Sequence, residues 1–214
     1  MTPEPRPAKD PREYVEAALR ESARLHERAA VESPASVAAV AGALRSAFAK
    51  DGKVVMFGNG GSALDAQHFA AELVGRFARE RRALPAISLT TDTSILTSVA
   101  NDYAYERVFA RQVEALGRAG DVAVGISTSG ASANVLAGLQ AAKARGMTTV
   151  AFTGRDGGAI GAMADLHVNV PHAVTARIQE VHRSLIHAVC ELVELGLDDG
   201  SDDGIRGSGF GTRE

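Results

Sequence analysis

The sequence predicts an α/β fold: one five-stranded parallel sheet in the order 2-1-3-4-5, with helices on both faces and two extra helices ahead of the first strand. Three observations carry this expectation. Short apolar runs at 53–57, 85–89, 121–126, 148–152 and 166–170 read as strands. They alternate with segments of helical period, the pattern of a parallel sheet covered on both faces. Two polar Gly-containing loops, 58–62 and 127–132, follow the first and third runs. In a sheet of this order those strands are neighbours at the point where the connections diverge, so both loops line one crevice.

Each element has its own justification. Residues 1–11 are Pro-rich and charged and are expected to be disordered. From 12 to 33, apolar or small residues at 15, 18, 19, 22, 25, 26 and 29 have helical spacing, and a second helix is expected over 36–50. Further helices are expected at 62–79, 105–118, 132–145 and, briefly, 158–164. The cluster Arg79, Arg81 and Arg82 reads as a solvated helix end. The last helix, about 176–197, has a wide apolar stripe of Ile178, Val181, Leu185, Ile186, Val189, Leu192 and Val193. So wide a stripe implies deep burial and points to packing against another subunit as well as its own sheet. The tail 198–214, rich in Gly and Asp, is expected to be unstructured. The organisation is therefore one domain over 12–197 between two disordered ends.

Composition sets limits. A chain of 214 residues, 45% hydrophobic and 23% charged, can bury a full core as one domain. A net charge of −3 leaves no electrostatic footprint for nucleic acid or a membrane surface. Cys190 is the single cysteine, so no internal disulfide can form. No apolar run approaches the length of a membrane span, and the first residues lack a secretory core, which makes the cytoplasm the expected location.

The chemistry concentrates in a few places. In the first loop, Ser62 is placed to cap the following helix. On that helix His68 and Glu72, four residues apart, share a face. In the second loop Ser127, Thr128, Ser129 and Ser132 gather four hydroxyls at a helix N-terminus, where free N–H groups and the dipole favour an anion. Neither loop has dinucleotide or P-loop spacing, so a small phosphorylated ligand fits better than a nucleotide. Gln179 and His187 lie about two turns apart on the last helix, with His182 turned away from that line. His187 taken alone reads as a satisfied core histidine. Together with His68 and Glu72 it offers two imidazoles and a carboxylate, a donor set suited to zinc, with a Gln oxygen as a weaker fourth ligand. Asn59, Asp65 and Asp92 could meet sugar hydroxyls or serve as turn and cap residues. Cys190 reads as a buried small apolar residue.

These residues resemble the sugar-isomerase (SIS) domain proteins, and closely the phosphoheptose isomerases. The blocks are Gly58-Asn-Gly-Gly-Ser62 with Asp65, His68-Phe-Ala-Ala-Glu-Leu73, Gly75-Arg76, Ala100-Asn-Asp102, Gly125-Ile-Ser-Thr-Ser-Gly130 with Ser132-Ala-Asn134, Val170-Pro171, and Arg177-Ile-Gln-Glu-Val-His182 with His187. The resemblance implies conversion of sedoheptulose 7-phosphate to D-glycero-D-manno-heptose 7-phosphate. It implies that Ser127, Thr128, Ser129 and Ser132, helped by Ser62, bind the phosphate, and that Glu72 and His187 form the acid/base pair. It implies sugar contacts from Asn59, Gly60, Arg76, Asp92 and Gln179, one zinc ion per subunit on His68, Glu72, Gln179 and His187, and a homotetramer. One departure stands out: some members have Asp just before the Arg-Ile-Gln-Glu block, where this chain has Ala176. Two other functions share the fold, a non-catalytic binding protein that contacts the replication initiator and a sugar-phosphate sensor. The Glu72, Gln179 and His187 set favours the enzyme, since a binding module needs no acid/base pair.

Overall fold

A computed structural model describes residues 10–198 of the chain. The expected disordered segments 1–11 and 198–214 fall almost wholly outside this range. Within it, Asp10 caps the first helix by accepting from the Arg12 N–H at 2.8 Å, and Pro11 opens that helix.

Five parallel strands form one sheet in the order β2-β1-β3-β4-β5, as expected. They are β1 (Val54–Gly58), β2 (Ala86–Ser88), β3 (Val122–Ser127), β4 (Thr148–Gly154) and β5 (Leu166–Val170). Successive strand residues point to opposite faces, so each strand feeds two cores. Val54, Met56, Val122, Val124, Ile126, Val150, Phe152 and Val168 point to one face. There they meet α2 (Pro34–Phe48), α3 (Gly61–Val74) and α8 (Thr175–Asp198). Val55, Phe57, Ala123 and Ala151 point to the other, against α5 (Val108–Leu116), α6 (Ala133–Ala144) and α7 (Gly158–Met163). Helix α1 (Pro11–Glu32) lies over α8, where Leu25 and Ala29 join Val170, Ile178 and Val181.

The sequence reading differs from the structure at three places in the element boundaries. Helix α4 (Thr93–Asp102) was not expected; none of its residues is fully buried, and only the short stripe Leu96, Val99 and Ala100 packs against the second core. The expected helix 105–118 is a 3₁₀ turn at Tyr105–Arg107 followed by α5. Helix α3 stops at Val74, not near 79, with Gly75 at its end. The last helix is deeply buried as its stripe implied: Ile178, Val181, Ile186, Val189, Cys190 and Val193 are all buried within the chain. Leu192 and Leu195 keep outward exposure of 36% and 39%, and α1 exposes Tyr14, Val15 and Leu19. Among the described residues, no helix is long and apolar enough to cross a membrane.

Candidate active site

The two polar loops meet at the C-terminal ends of β1 and β3, neighbours in register from Val54↔Val122 to Gly58↔Ile126. Asn59 and Asn134 tie them together by a reciprocal pair of amide bonds, Asn59 Nδ2 donating to Asn134 Oδ1 at 2.8 Å and Asn134 Nδ2 to Asn59 Oδ1 at 2.9 Å. The Tyr105 hydroxyl donates to Asn59 Oδ1 at 3.0 Å. Gly60 takes a positive φ of 55°, so the chain turns sharply enough for α3 to start at Gly61. Ser62 is therefore not the cap. It lies one residue inside the helix, buried, and its N–H donates to the Asn59 carbonyl at 3.0 Å.

In the second loop the hydroxyls converge as expected. Ser127 and Ser132 share a hydrogen bond at 2.9 Å, Ser127 and Ser129 a longer one at 3.3 Å, and Ser132 stands at the N-cap of α6 without spending its side chain on the helix. The Ser129 hydroxyl accepts the Ala131 N–H at 3.2 Å, and Thr128 is partly exposed. The result is a small polar nest at a helix start, with hydroxyls free to turn towards an anion.

Helices α3 and α8 run side by side in the same direction, and their facing residues keep a nearly constant offset in number. Gln179 covers Gly61 so closely that a Cβ there would lie 2.3 Å from Gln179 Nε2. Arg183 Nη2 donates to Asp65 Oδ1 at 2.7 Å, and Asp65 is 2% exposed. His68 Nε2 and His187 Nε2 are 2.7 Å apart, and His68 Nε2 is 3.5 Å from Glu72 Oε1. Donor atoms of His68, Glu72 and His187 all lie within 4.8 Å of one another, each side chain partly buried.

Two imidazole nitrogens at hydrogen-bond distance cannot both be protonated, and the His187 pKa shifts accordingly. Burial lowers it first, then repulsion from His68 and Arg183, against a raising pull from Glu72. His182, the residue expected to point elsewhere, is fully buried, with Nε2 at 2.8 Å from the Thr153 carbonyl and its pKa lowered by burial. Cys190 is buried as expected; burial, then Glu72 and Glu194, push its thiol up to about 12, which leaves it inert.

Not every expected residue joins the cluster. Asp92 is the N-cap of α4, its carboxylate accepting the Ile95 N–H at 2.9 Å, and it is exposed. Arg76 is exposed and follows the far end of α3, about 20 Å from the Gly-rich loop at 1.5 Å per helical residue. The solvated-end reading of Arg81 fails. Its side chain is 7% exposed, and it donates to the carbonyls of Glu72, Leu73, Gly75 and Arg82 at 2.7 to 3.0 Å. Sequence reasoning also passed over Arg183, Asn134 as a loop tie, and Glu194. Their partners lie 75 to 118 residues away, beyond any local pattern.

A parallel sheet with two loops at its switch point, a hydroxyl nest in one and a His/Glu cluster below the other, defines a phosphosugar-handling SIS domain. The SIS domain family model matches residues 18–154. The phosphoheptose isomerase of Roseiflexus sp. (strain RS-1) is 60% identical over 161 residues, 75% of this chain and 82% of that protein. That of Aquifex aeolicus is 56% identical over 183 residues, 85% of this chain and 95% of that protein. The solved phosphoheptose isomerase of Neisseria gonorrhoeae superposes with a TM-score of 0.82 at 49% identity, covering 86% of this chain and 98% of that one. The chain belongs to the SIS-domain family and, within it, to the phosphoheptose isomerases, a family of sugar-phosphate isomerases. The expectation of an enzyme, rather than a binding module on the same fold, agrees with this.

Proposed function

We propose that the protein interconverts sedoheptulose 7-phosphate and D-glycero-D-manno-heptose 7-phosphate through an enediol. The observation that carries the reading is a spacing. From the Gly-rich loop at the head of α3 to His68 is seven residues, about 10 Å at 1.5 Å per residue. That distance is comparable to an extended seven-carbon chain between its phosphate and its carbonyl end. A phosphate held by Ser127, Thr128, Ser129 and Ser132, with Ser62 buried behind the adjoining loop, leaves carbons 1 and 2 beside Glu72 and His187. Asn59, Gly60, Gln179, Arg76 and Asp92 complete the sugar contacts in this reading. The exposed Arg76, so far along α3, acts across a subunit boundary.

In the ketose-to-aldose direction Glu72 takes a proton from carbon 1 while the carbonyl oxygen on carbon 2 gains one, which gives the enediol. The hydroxyl on carbon 1 then loses its proton and carbon 2 gains one, so that atoms and charge balance. His187, kept neutral near pH 7 by its lowered pKa, carries the oxygen-bound protons, since a neutral imidazole both donates and accepts. The donors within 4.8 Å of one another fit a divalent ion, and zinc suits two imidazoles and a carboxylate. His68, Glu72 and His187 would hold it, with the Gln179 carboxamide, which lies against Gly61, as a fourth donor, and zinc would supply a Lewis acid for the substrate carbonyl. The exposed apolar residues of α1 and α8, and an α4 without a buried residue, support a homotetramer, which light scattering measures directly. A cytoplasmic site of action goes with this reading.

The test is a direct assay with sedoheptulose 7-phosphate in D₂O. The expected outcome is aldose product with deuterium at carbon 2. Glu72→Gln is expected to lower kcat by about 10²- to 10⁴-fold, the usual contribution of a proton-transfer group, while substrate binding survives. An inactive wild-type enzyme, or an active Glu72→Gln variant, overturns the assignment.

A further inference from the structure

We propose that the buried Arg81–Glu194 pair is a positioning device for the acid/base site, fastening the helix end that carries Glu72 and pressing Phe77 against the imidazole of His187. The proposal rests on the reading of Glu72 and His187 given above. Arg81 meets Glu72 at its main-chain carbonyl, not its carboxylate, and Glu194 reaches His187 through Phe77, so both act through backbone or other residues.

The geometry assigns each half of the pair a distinct task. Helix α3 ends two residues after the carbon-proton base, and its last carbonyls have no partners within the helix. Arg81 supplies them: Nη2 donates to the Glu72 carbonyl at 2.7 Å, and Nη1 donates to Leu73 at 2.9 Å and Gly75 at 3.0 Å. A guanidinium suits this, because its donors form a rigid fork that a lysine ammonium cannot reproduce. Glu194, on α8 two turns beyond His187, is 3% exposed. Its Oε1 accepts the Phe77 N–H at 2.8 Å, and its Oε2 accepts those of Ala78 at 3.0 Å and Arg79 at 2.9 Å. The same carboxylate faces Arg81 Nε at 3.2 Å. The segment after α3 is thus folded back onto α8, and the Phe77 ring centroid comes to 5.4 Å from that of His187. His187 is then held between His68, at a centroid distance of 5.0 Å, and Phe77.

Two buried charges and three backbone donors make this costly unless every group is paired. Burial pushes the Glu194 carboxyl up, but the bonds from Ala78, Phe77 and Arg79 and the Arg81 charge outweigh it, so it stays ionised below the usual carboxylate range. A loop without a task could be closed by apolar contacts at no such cost. Here the ionic link joins the two helices that carry the acid/base pair, at the end farthest from the phosphate nest.

The test compares Glu194→Gln, Phe77→Leu and the double variant, with substrate kinetics, inorganic phosphate binding and thermal midpoint measured on each full chain. Glu194→Gln keeps the shape and removes the charge and one acceptor oxygen. Phe77→Leu keeps the clamp and removes only the ring. The expected result is a roughly 10- to 100-fold fall in kcat for Glu194→Gln, the scale for a support residue or a small misplacement. KM and phosphate binding should stay within threefold. Phe77→Leu should share part of that fall, and the double variant should be no worse than Glu194→Gln, because both changes release the same imidazole. A folded Glu194→Gln enzyme with kcat within twofold of wild type overturns the proposal. So do additive effects in the double variant, or parallel losses of kcat, phosphate binding and thermal midpoint, which mark a merely structural role. If Glu194→Gln does not fold, Phe77→Leu decides: unchanged kcat in it overturns the proposal. Wild-type inactivity on the heptulose phosphate, by contrast, overturns the isomerase reading itself and is seen before any variant is made.

Discussion

Replacing Gly130 by Ala should weaken phosphate binding without touching any phosphate-binding side chain. Gly130 sits inside the hydroxyl nest at φ 66°, in the left-handed region, and an added Cβ would lie 2.3 Å from the Gly157 carbonyl oxygen and 2.5 Å from its carbon. Both obstacles are backbone, so no side chain can swing clear, and reaching ordinary contact takes a shift of roughly 1 Å. The left-handed conformation alone costs a β-carbon residue about 1–2 kcal/mol. The contact is mutual: Gly158, at φ 53°, would place its Cβ 2.5 Å from the Gly130 carbonyl oxygen, the same oxygen that accepts the Ile160 N–H at 3.0 Å. Either alanine must therefore push the hydroxyl loop away from the start of α7. Misaligning one or two charge-assisted bonds, each worth about 1.5–3 kcal/mol, should raise KM about 10- to 100-fold. Initial rates over a range of sedoheptulose 7-phosphate concentrations measure this, with kcat at saturation expected within threefold of wild type. A folded Gly130→Ala enzyme with KM within twofold of wild type would refute the assignment of the nest. A Gly158→Ala variant that behaves differently would refute the mutual-contact account.

Gly61→Ala should displace the Gln179 carboxamide, which leaves a Cβ only 2.3 Å of room but stands at the end of a flexible side chain, so stability should hold. If Gln179 serves substrate or metal, activity falls about 10-fold, the scale of a support-residue loss, and matches Gln179→Ala; a harmful Gln179→Ala beside a harmless Gly61→Ala breaks the link. Stability should fall on acidification in two windows. His182 and His167 have folded pKa values below their ordinary one, so the unfolded chain takes up protons first and stability declines below about pH 6.5. Asp121, Asp165 and Glu194 are also lowered, and their stability, complete above the unfolded carboxylate pKa near 4, is lost as pH falls through the folded values. Thermal midpoints measured from pH 8 to 3 check the sign, and a midpoint that rises between pH 7 and 5 contradicts it.

What was legible in the sequence depended on whether a residue's partner was local or dictated by the sheet. The strand order followed from apolar runs and two loops, because β1 and β3 must diverge where polar loops can face each other. The hydroxyl nest was legible because Ser127, Ser129 and Ser132 meet within one turn of chain. Helix α4 left little trace, since its one short stripe, Leu96, Val99 and Ala100, is only partly buried against the core. Arg81 was misread for a related reason: three arginines in four positions look like a solvated surface, and it takes the carbonyls at the end of α3 and Glu194, on the other helix, to turn one of them inward. The pairing of α3 with α8 is the most instructive case. Gly61 with Gln179, Asp65 with Arg183 and His68 with His187 are offset by 118, 118 and 119 residues. Once one contact is known, two parallel helices fix the others. The same offset sets Glu72 opposite Cys190, whose thiol is raised to about 12 by burial first and then by Glu72. A neutral, small, inert side chain beneath the carboxylate leaves Glu72 facing His68 at 3.5 Å. A lysine at that position would pair with the carboxylate and draw it out of the cluster, so in the proposed reading the lone cysteine, read from sequence only as core filling, leaves Glu72 to His68, His187 and the substrate.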